Sequence, residues 1–243
     1  MSFFRRSLLV SLTALLVAGG AVAGRASEVA VIELFTSQGC SSCPKADALL
    51  TTYAARDGII ALSYNVDYWD YLGWKDTLAS PAHTQRWRDY AKARGDGQVY
   101  TPRAIVNGLG HAIGSKAKRI DAAIAETAPT LAGRRPSLTI TRDAATFEIS
   151  IGANAVKPGK PATVWVASVR ERVTVPIKRG ENVGSTITYV NVVRALQAVG
   201  TWTGEPALIK VPESAVRADA SDRYAVLVQE SSTGPMLAAA WAP

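Results

Sequence analysis

The sequence predicts an α/β domain followed by a mostly β, sandwich-like domain. Three observations carry this expectation. Strand-like and helix-like segments alternate up to residue 127. Pro129, Gly133 and Pro136 then interrupt the chain as a linker. Beyond Ser137, short β-rich runs recur between turn residues. The composition agrees with folded domains: of 243 residues, 48% are hydrophobic and only 19% charged.

Residues 1–23 read as an address. Arg5 and Arg6 precede an uncharged, apolar stretch, Gly19 and Gly20 break it, and Ala21-Val22-Ala23 gives a small-x-small cleavage pattern. The apolar run falls well short of the ~20 residues that span a bilayer. A signal peptide cut near Gly24 is expected, with a periplasmic or secreted product and no membrane span after its removal. The remaining chain has 25 Lys and Arg against 20 Asp and Glu. These charges are scattered, with no basic stripe and no nucleic-acid motif, so nucleic acid is not an expected partner.

Residues 29–35 form an apolar, β-branched run that suits a buried strand. Residues 45–55 favour a helix, Asp57-Gly58 a turn and residues 59–66 a second strand. Ser80 suits a helix N-cap and Pro81 the first helical position, with Gly95 closing that helix after Arg94. Trp87, Tyr90 and Ala91 share its inner face. Asn107-Gly108 between short apolar runs marks a hairpin, and residues 116–127 a third helix. In the second half, residues 138–141, 146–151, 163–169, 173–177, 186–193, 207–211, 224–229 and 236–241 read as strands, and residues 195–199 hint at helix. The expected organisation is a signal peptide at 1–23, an α/β domain at 27–128, a linker at 129–136 and the β-rich domain at 137–243.

The chain has two cysteines, Cys40 and Cys43, three residues apart. An exported chain meets an oxidising compartment, yet so small a loop removes little unfolded-state entropy and makes a poor staple. The pair makes better sense as chemistry. It lies where a strand turns into a helix, whose free N–H groups favour a thiolate at Cys40. Cys40 is then the attacking sulfur and Cys43 the resolving one. Glu33, an acid inside an apolar strand, is either a buried base for this pair or a solvent-facing side chain. Residues 64–100 hold eight aromatics, among them Tyr68, Trp69 and Trp74. These fill a core or line a groove beside Cys40 that grips a polypeptide. Asp67 and Asp70 read as anchors of that segment. His83 reads as a surface or cap residue, and His111 lies in the hairpin.

Cys40-Ser41-Ser42-Cys43-Pro44 on a strand-to-helix turn, with Thr101-Pro102 ahead of the Asn107-Gly108 hairpin, resembles the thioredoxin superfamily. That resemblance implies a central mixed sheet flanked by helices, a cis Pro102 facing the sulfurs and a substrate contact at Thr101. Residues 33–44, 66–76, 79–81 and 99–102, with Gly180-Glu181-Asn182 and residues 191–194, are similar to a secreted, thioredoxin-like bacterial family catalogued as domain of unknown function 1223. Asn65 stands where many of its members carry His. The resemblance implies the fold and the export; taken with the cysteine chemistry and the aromatic segment, it leads to the expectation of an exported thiol–disulfide oxidoreductase. Its catalytic residues are Cys40, Cys43 and Glu33, and its substrate contacts are Thr101, Pro102, Tyr68, Trp69 and Trp74. It uses its own disulfide in place of a cofactor and has no metal. Its partners are protein thiols or disulfides and a membrane redox protein, and its direction is open. Two rivals stand beside it: a copper-binding or copper-delivery protein that uses the same cysteines with a His, and a non-catalytic interaction module.

Overall fold

The structure, a computed structural model, describes residues 24–25 and 30–243. The expected signal peptide at 1–23 lies outside the described residues. In chain order the elements are β1 (Gly24–Arg25), β2 (Ala30–Thr36), α1 (Pro44–Ala54), β3 (Ile59–Asn65), a 3-10 turn (Asp70–Leu72), α2 (Pro81–Arg94), β4 (Arg103–Val106), β5 (Gly110–Ile113) and α3 (Ala117–Leu131). There follow β6 (Leu138–Asp143), β7 (Thr146–Ile151), β8 (Ala162–Pro176), β9 (Thr186–Trp202), β10 (Ala207–Pro212), the short α4 (Glu213–Val216), β11 (Arg223–Glu230) and β12 (Met236–Trp241).

The fold class differs from the sequence expectation. A helix-flanked α/β domain with a separate sandwich behind it does not form. One mixed sheet of eight strands runs through both halves, in the order β12-β11-β8-β9-β3-β2-β4-β5. The joint is a parallel pairing of β3 with β9 at Ser63 and Val192. Only β1, β6, β7 and β10 make the second sheet. The chain is therefore mostly strand, with few helices. The physical reason is the edge that a separate sandwich would expose: β9 would present unpaired N–H and C=O groups, and β3 covers them instead.

Side-chain alternation distributes the core. On one face, Ile32, Leu34, Ala61, Ala104 and Val106 pack with Ala46, Leu50 and Tyr53 of α1 and Ile120 and Ala123 of α3. On the other, Phe35, Leu62 and Tyr64 pack with Trp87 and Tyr90 of α2, and with Ala167, Val193, Leu227 and Ala239 from the second half. That shared cluster unites the halves. The small sheet covers the remaining face through Ile140, Phe147, Ile149 and Val211 against Val164, Val166, Val226 and Leu237.

Local signals set several boundaries. Ser80 Oγ accepts the Ala82 N–H at 3.2 Å, Pro81 opens α2, and Gly95 closes it in the left-handed region at φ 79°. Asn107 and Gly108 take φ of 53° and 68°, the pair of positive angles that a two-residue hairpin turn of matching twist requires. The Asn107 carboxamide also accepts from Val31 N–H at 2.8 Å and donates to Thr127 Oγ1 at 2.9 Å, tying the hairpin to β2 and α3. Residues 195–199 are strand rather than helix, because Ala195 to Ala198 pair with Ser168 to Trp165 of β8. The two expected strands at 163–169 and 173–177 are one, β8, with register shifts beside Trp165 and Val169. No helix among the described residues is long and apolar enough to cross a membrane.

Candidate functional site

The parallel strand β2 ends at Thr36, and the chain turns through Ser37-Gln38-Gly39 into α1. Cys40 and Cys43 form a disulfide across this turn, with Cα atoms 5.4 Å apart. Both are buried, Cys43 fully and Cys40 with 5% exposed, so Cys40 is the less buried of the two. Cys43 N–H donates to the Cys40 carbonyl at 3.1 Å, and Pro44, which has no N–H to satisfy, starts the helix.

The opposite wall is the Thr101–Pro102 peptide, which is cis. The Thr101 carbonyl oxygen lies 3.8 Å from Cys40 Sγ, and Ser42 Oγ lies 3.4 Å from the same sulfur. Trp69 Nε1 donates to Thr101 Oγ1 at 2.7 Å, so the aromatic segment is fastened to this wall. A side chain at Gly39 would press on Trp69, whose backbone oxygen and Cβ lie 3.1 and 3.2 Å from where its Cβ would stand. Trp74 Nε1 donates to Gln38 Oε1 at 2.8 Å. Tyr68 packs on Trp69 at a tilt, and Tyr71, 76% exposed, stacks on Trp69 as well. Thus Tyr68, Trp69 and Trp74 are gathered at the disulfide with Thr101 and Pro102, whereas Tyr64, Trp87 and Tyr90 are core.

Behind the disulfide the turn is held by Asp76. Its Oδ2 accepts from Gln38 N–H at 2.8 Å and Asn65 Nδ2 at 3.0 Å, and its Oδ1 from Leu78 N–H at 2.8 Å. Asp70 Oδ1 accepts the Asp76 N–H, and Asp67 Oδ1 accepts the Thr84 hydroxyl, so both expected anchors do anchor this segment.

Glu33 is buried, on the face of β2 turned towards α2. Its Oε1 takes Arg86 Nε at 2.8 Å, and its Oε2 takes the Tyr90 hydroxyl at 2.5 Å. Both carboxylate oxygens are thus committed to an ion-paired network. Among the described residues, the buried acid without a hydrogen-bond partner is Asp47, which is 1% exposed. It follows Cys43 by four residues on α1, one helical turn along the same face. Neither of its carboxylate oxygens has a hydrogen-bond partner, and the nearby Thr36 Oγ1, Asn65 Oδ1 and Tyr189 hydroxyl are also unpaired. Burial holds the Asp47 carboxyl well above the usual carboxylate range, and the Asp76 charge adds to the effect. Burial, then Asp47 and Asp76, likewise hold the Tyr189 hydroxyl above its ordinary range. A signal for Asp47 was available in the sequence: it falls on the stripe Cys43, Asp47, Leu50, which is the buried face of α1.

The second half also reaches the site. The loop between β8 and β9 lays Asn182 against the turn, where its Nδ2 donates to the carbonyls of Gln38 at 2.8 Å and Cys40 at 3.0 Å. Glu181 Oε2 accepts the Ser41 N–H at 3.1 Å. Gly180 packs closely on Trp74 and takes φ of 75°. Residue pairs this distant in sequence carry no local pattern.

The histidines sit elsewhere. His83 is buried rather than on the surface; its Nδ1–H donates to the Asn65 carbonyl at 2.9 Å, its ring meets Tyr64 edge-on, and burial pushes its pKa down to about 4. His111 Nδ1 meets Arg103. Among the described residues, no three His, Cys, Asp or Glu side chains gather as metal ligands.

A family model described as protein of unknown function (DUF1223) matches residues 31–229. No curated protein matches the chain. The crystal structure of protein AGR_C_4864 from Agrobacterium tumefaciens is similar, with 36% identity, a TM-score of 0.76 and coverage of 89% of this chain and 95% of that one. HBP35 of Porphyromonas gingivalis is similar in fold alone, at 14% identity and a TM-score of 0.55, covering 87% of this chain and 74% of that one.

Proposed function

The chain belongs to the DUF1223 family of proteins of unknown function, and from that premise we propose that it exchanges thiols and disulfides with exported proteins through Cys40 and Cys43. The observation that carries this reading is the Cys40–Cys43 disulfide, with the sulfur of its less buried cysteine 3.8 Å from the Thr101 carbonyl oxygen beside an aromatic lip. Two supports are independent of the disulfide itself: the exposed Tyr71 and partly exposed Trp69 offer apolar contact to a polypeptide, and a buried carboxyl stands one turn behind the resolving sulfur.

Written in the direction that reduces a substrate, the Cys40 thiolate attacks one sulfur of the substrate disulfide. That S–S bond breaks, and the other substrate sulfur leaves as a thiolate and takes a proton from water. Cys43 then gives its thiol proton to the Asp47 carboxylate and attacks Cys40 Sγ. The mixed disulfide breaks, the Cys40–Cys43 bond closes, and the second substrate sulfur departs and is protonated. Two electrons have passed from the pair to the substrate, and the reverse sequence oxidises a substrate dithiol. In this reading Glu33 serves the fold and Asp47 carries the proton. Thr101, Pro102, Tyr68, Trp69 and Trp74 form the substrate contact. An exported chain of this kind draws electrons from, or delivers them to, a membrane redox partner.

Replacing Cys43 with Ser removes the resolving sulfur. The variant is expected to accumulate reductant-sensitive covalent adducts through Cys40 with proteins of the export compartment, seen as shifted bands on non-reducing gels. A Cys40→Ser, Cys43→Ser double variant should form none. Equal adduct levels in the two variants would contradict the reading.

A further inference from the structure

Among the described residues, Glu181 is the one carboxylate that accepts a hydrogen bond from a backbone N–H between the two cysteines. It comes from the other half of the chain, 140 positions away from Ser41. Its neighbour Asn182, 7% exposed, pins the loop by bonding the carbonyls of Gln38 and Cys40. Gly180 supplies the close approach, since a side chain there would press on Trp74 at 3.1 Å. The carboxylate is therefore held at the Ser41 N–H, one residue from Cys40 in sequence.

We propose that Glu181 is a positioning residue that sets the redox poise of the pair by opposing the Cys40 thiolate. This inference rests on the exchange reading above and adds to it a device supplied by the second half. Its physics is simple. A thiolate at the start of α1 is stabilised by the free N–H groups of the first turn. Glu181 occupies the Ser41 N–H, in the turn that leads into that helix and next in sequence to Cys40, and brings a negative charge to this turn. Both effects disfavour the reduced, ionised form and leave the disulfide form unaffected, so the pair becomes more reducing. The other acids near the turn act from behind it: Asp76 is bonded to Gln38, and Asp47 is buried on α1. Glu181 is exposed, so its influence is moderated by solvent and screened by salt.

Glu181→Gln separates charge from shape, because the carboxamide oxygen still accepts the Ser41 N–H. The experiment equilibrates wild type, Glu181→Gln and Glu181→Ala with graded glutathione, at a pH at or above the Cys40 pKa and at low and high salt. The thiolate absorbance of each reduced protein is titrated in parallel. In Glu181→Gln the dithiol should gain on the disulfide by about threefold to tenfold at low salt, tenfold being about 30 mV. The Cys40 pKa should fall, and both shifts should shrink at high salt. Glu181→Ala should shift the same way. If wild type equilibrates normally and Glu181→Gln matches it in potential and pKa, the proposal is overturned and the exchange reading stands. If wild type does not equilibrate at any ratio, both are overturned.

Discussion

Replacing Arg86 with Ala is expected to destabilise the protein by about 3 to 5 kcal/mol, the usual cost of stranding one member of a buried ion pair. Arg86 and Glu33 are 8% and 1% exposed. The guanidinium bonds Glu33 through Nε, and through Nη2 it reaches the Gln229 carboxamide oxygen at 2.9 Å and the Tyr90 hydroxyl at 3.2 Å. Nη1 donates to the Ser232 carbonyl. The Tyr90 hydroxyl in turn donates to Glu33 and accepts from Gln229 Nε2 at 2.7 Å. One network thus ties β2 and α2 in the first half to β11 in the second. Without Arg86, a buried carboxylate keeps only the tyrosine. A Glu33→Leu, Arg86→Met double variant removes both charges together and should recover much of the loss, since buried pairs are often replaceable by apolar residues of similar size. Urea unfolding checks this. A loss under about 1 kcal/mol for Arg86→Ala, the scale of an exposed pair, would contradict the role given to this network.

Replacing Asp47 with Asn should act on both stability and chemistry. In the folded protein burial raises the Asp47 pKa above its unfolded value. A carboxyl raised in this way is protonated in both states at low pH. As pH climbs past the unfolded value the unfolded chain releases its proton first, so this group costs stability progressively, until the folded pKa is passed and the cost becomes constant. Asn has no such titration. The variant should be more stable than wild type at neutral pH, and the difference should vanish as pH falls below the ordinary carboxylate range. Chemically, Asn cannot accept the Cys43 proton, and loss of a general base costs about 10²- to 10⁴-fold. Stopped-flow measurement of the second step, closure of Cys40–Cys43 on a preformed mixed disulfide, should show that slowing while the first attack by Cys40 is spared. An unchanged closure rate across the pH range would remove Asp47 from the mechanism.

Much of the site was legible because its signals are local. Cys40 and Cys43 flank a strand-to-helix turn, Ser80-Pro81 starts a helix, and Asn107-Gly108 makes a hairpin, each within a few residues of chain. The joining of β9 to β3 was not legible. Periodicity reports which face of a strand is buried, but not which edge it pairs with, and this pairing links Ser63 to Val192. Residues 195–199 misled for a related reason: Ala, Leu and Gln favour helix in isolation, and pairing with β8 overrides them. Glu33 drew attention as an acid among apolar residues. Its partners, Arg86 and Tyr90, lie far along the chain, and only the folded arrangement shows that it is ion-paired. Gly180-Glu181-Asn182 stood out in the sequence as a loop, but nothing local showed that Glu181 and Asn182 meet the cysteine turn across 140 residues or more.

The most direct test of the central claim is the reduction of the Cys40–Cys43 pair in a chain of residues 24–243. The protein is equilibrated with graded glutathione, its thiols are trapped by alkylation, and the mass shifts are counted. The account predicts one reversible two-electron transition in which both thiols appear together, at a potential within the span of thiol exchangers, about −120 to −270 mV. A pair that stays oxidised at every ratio, or yields one thiol without the other, would contradict it.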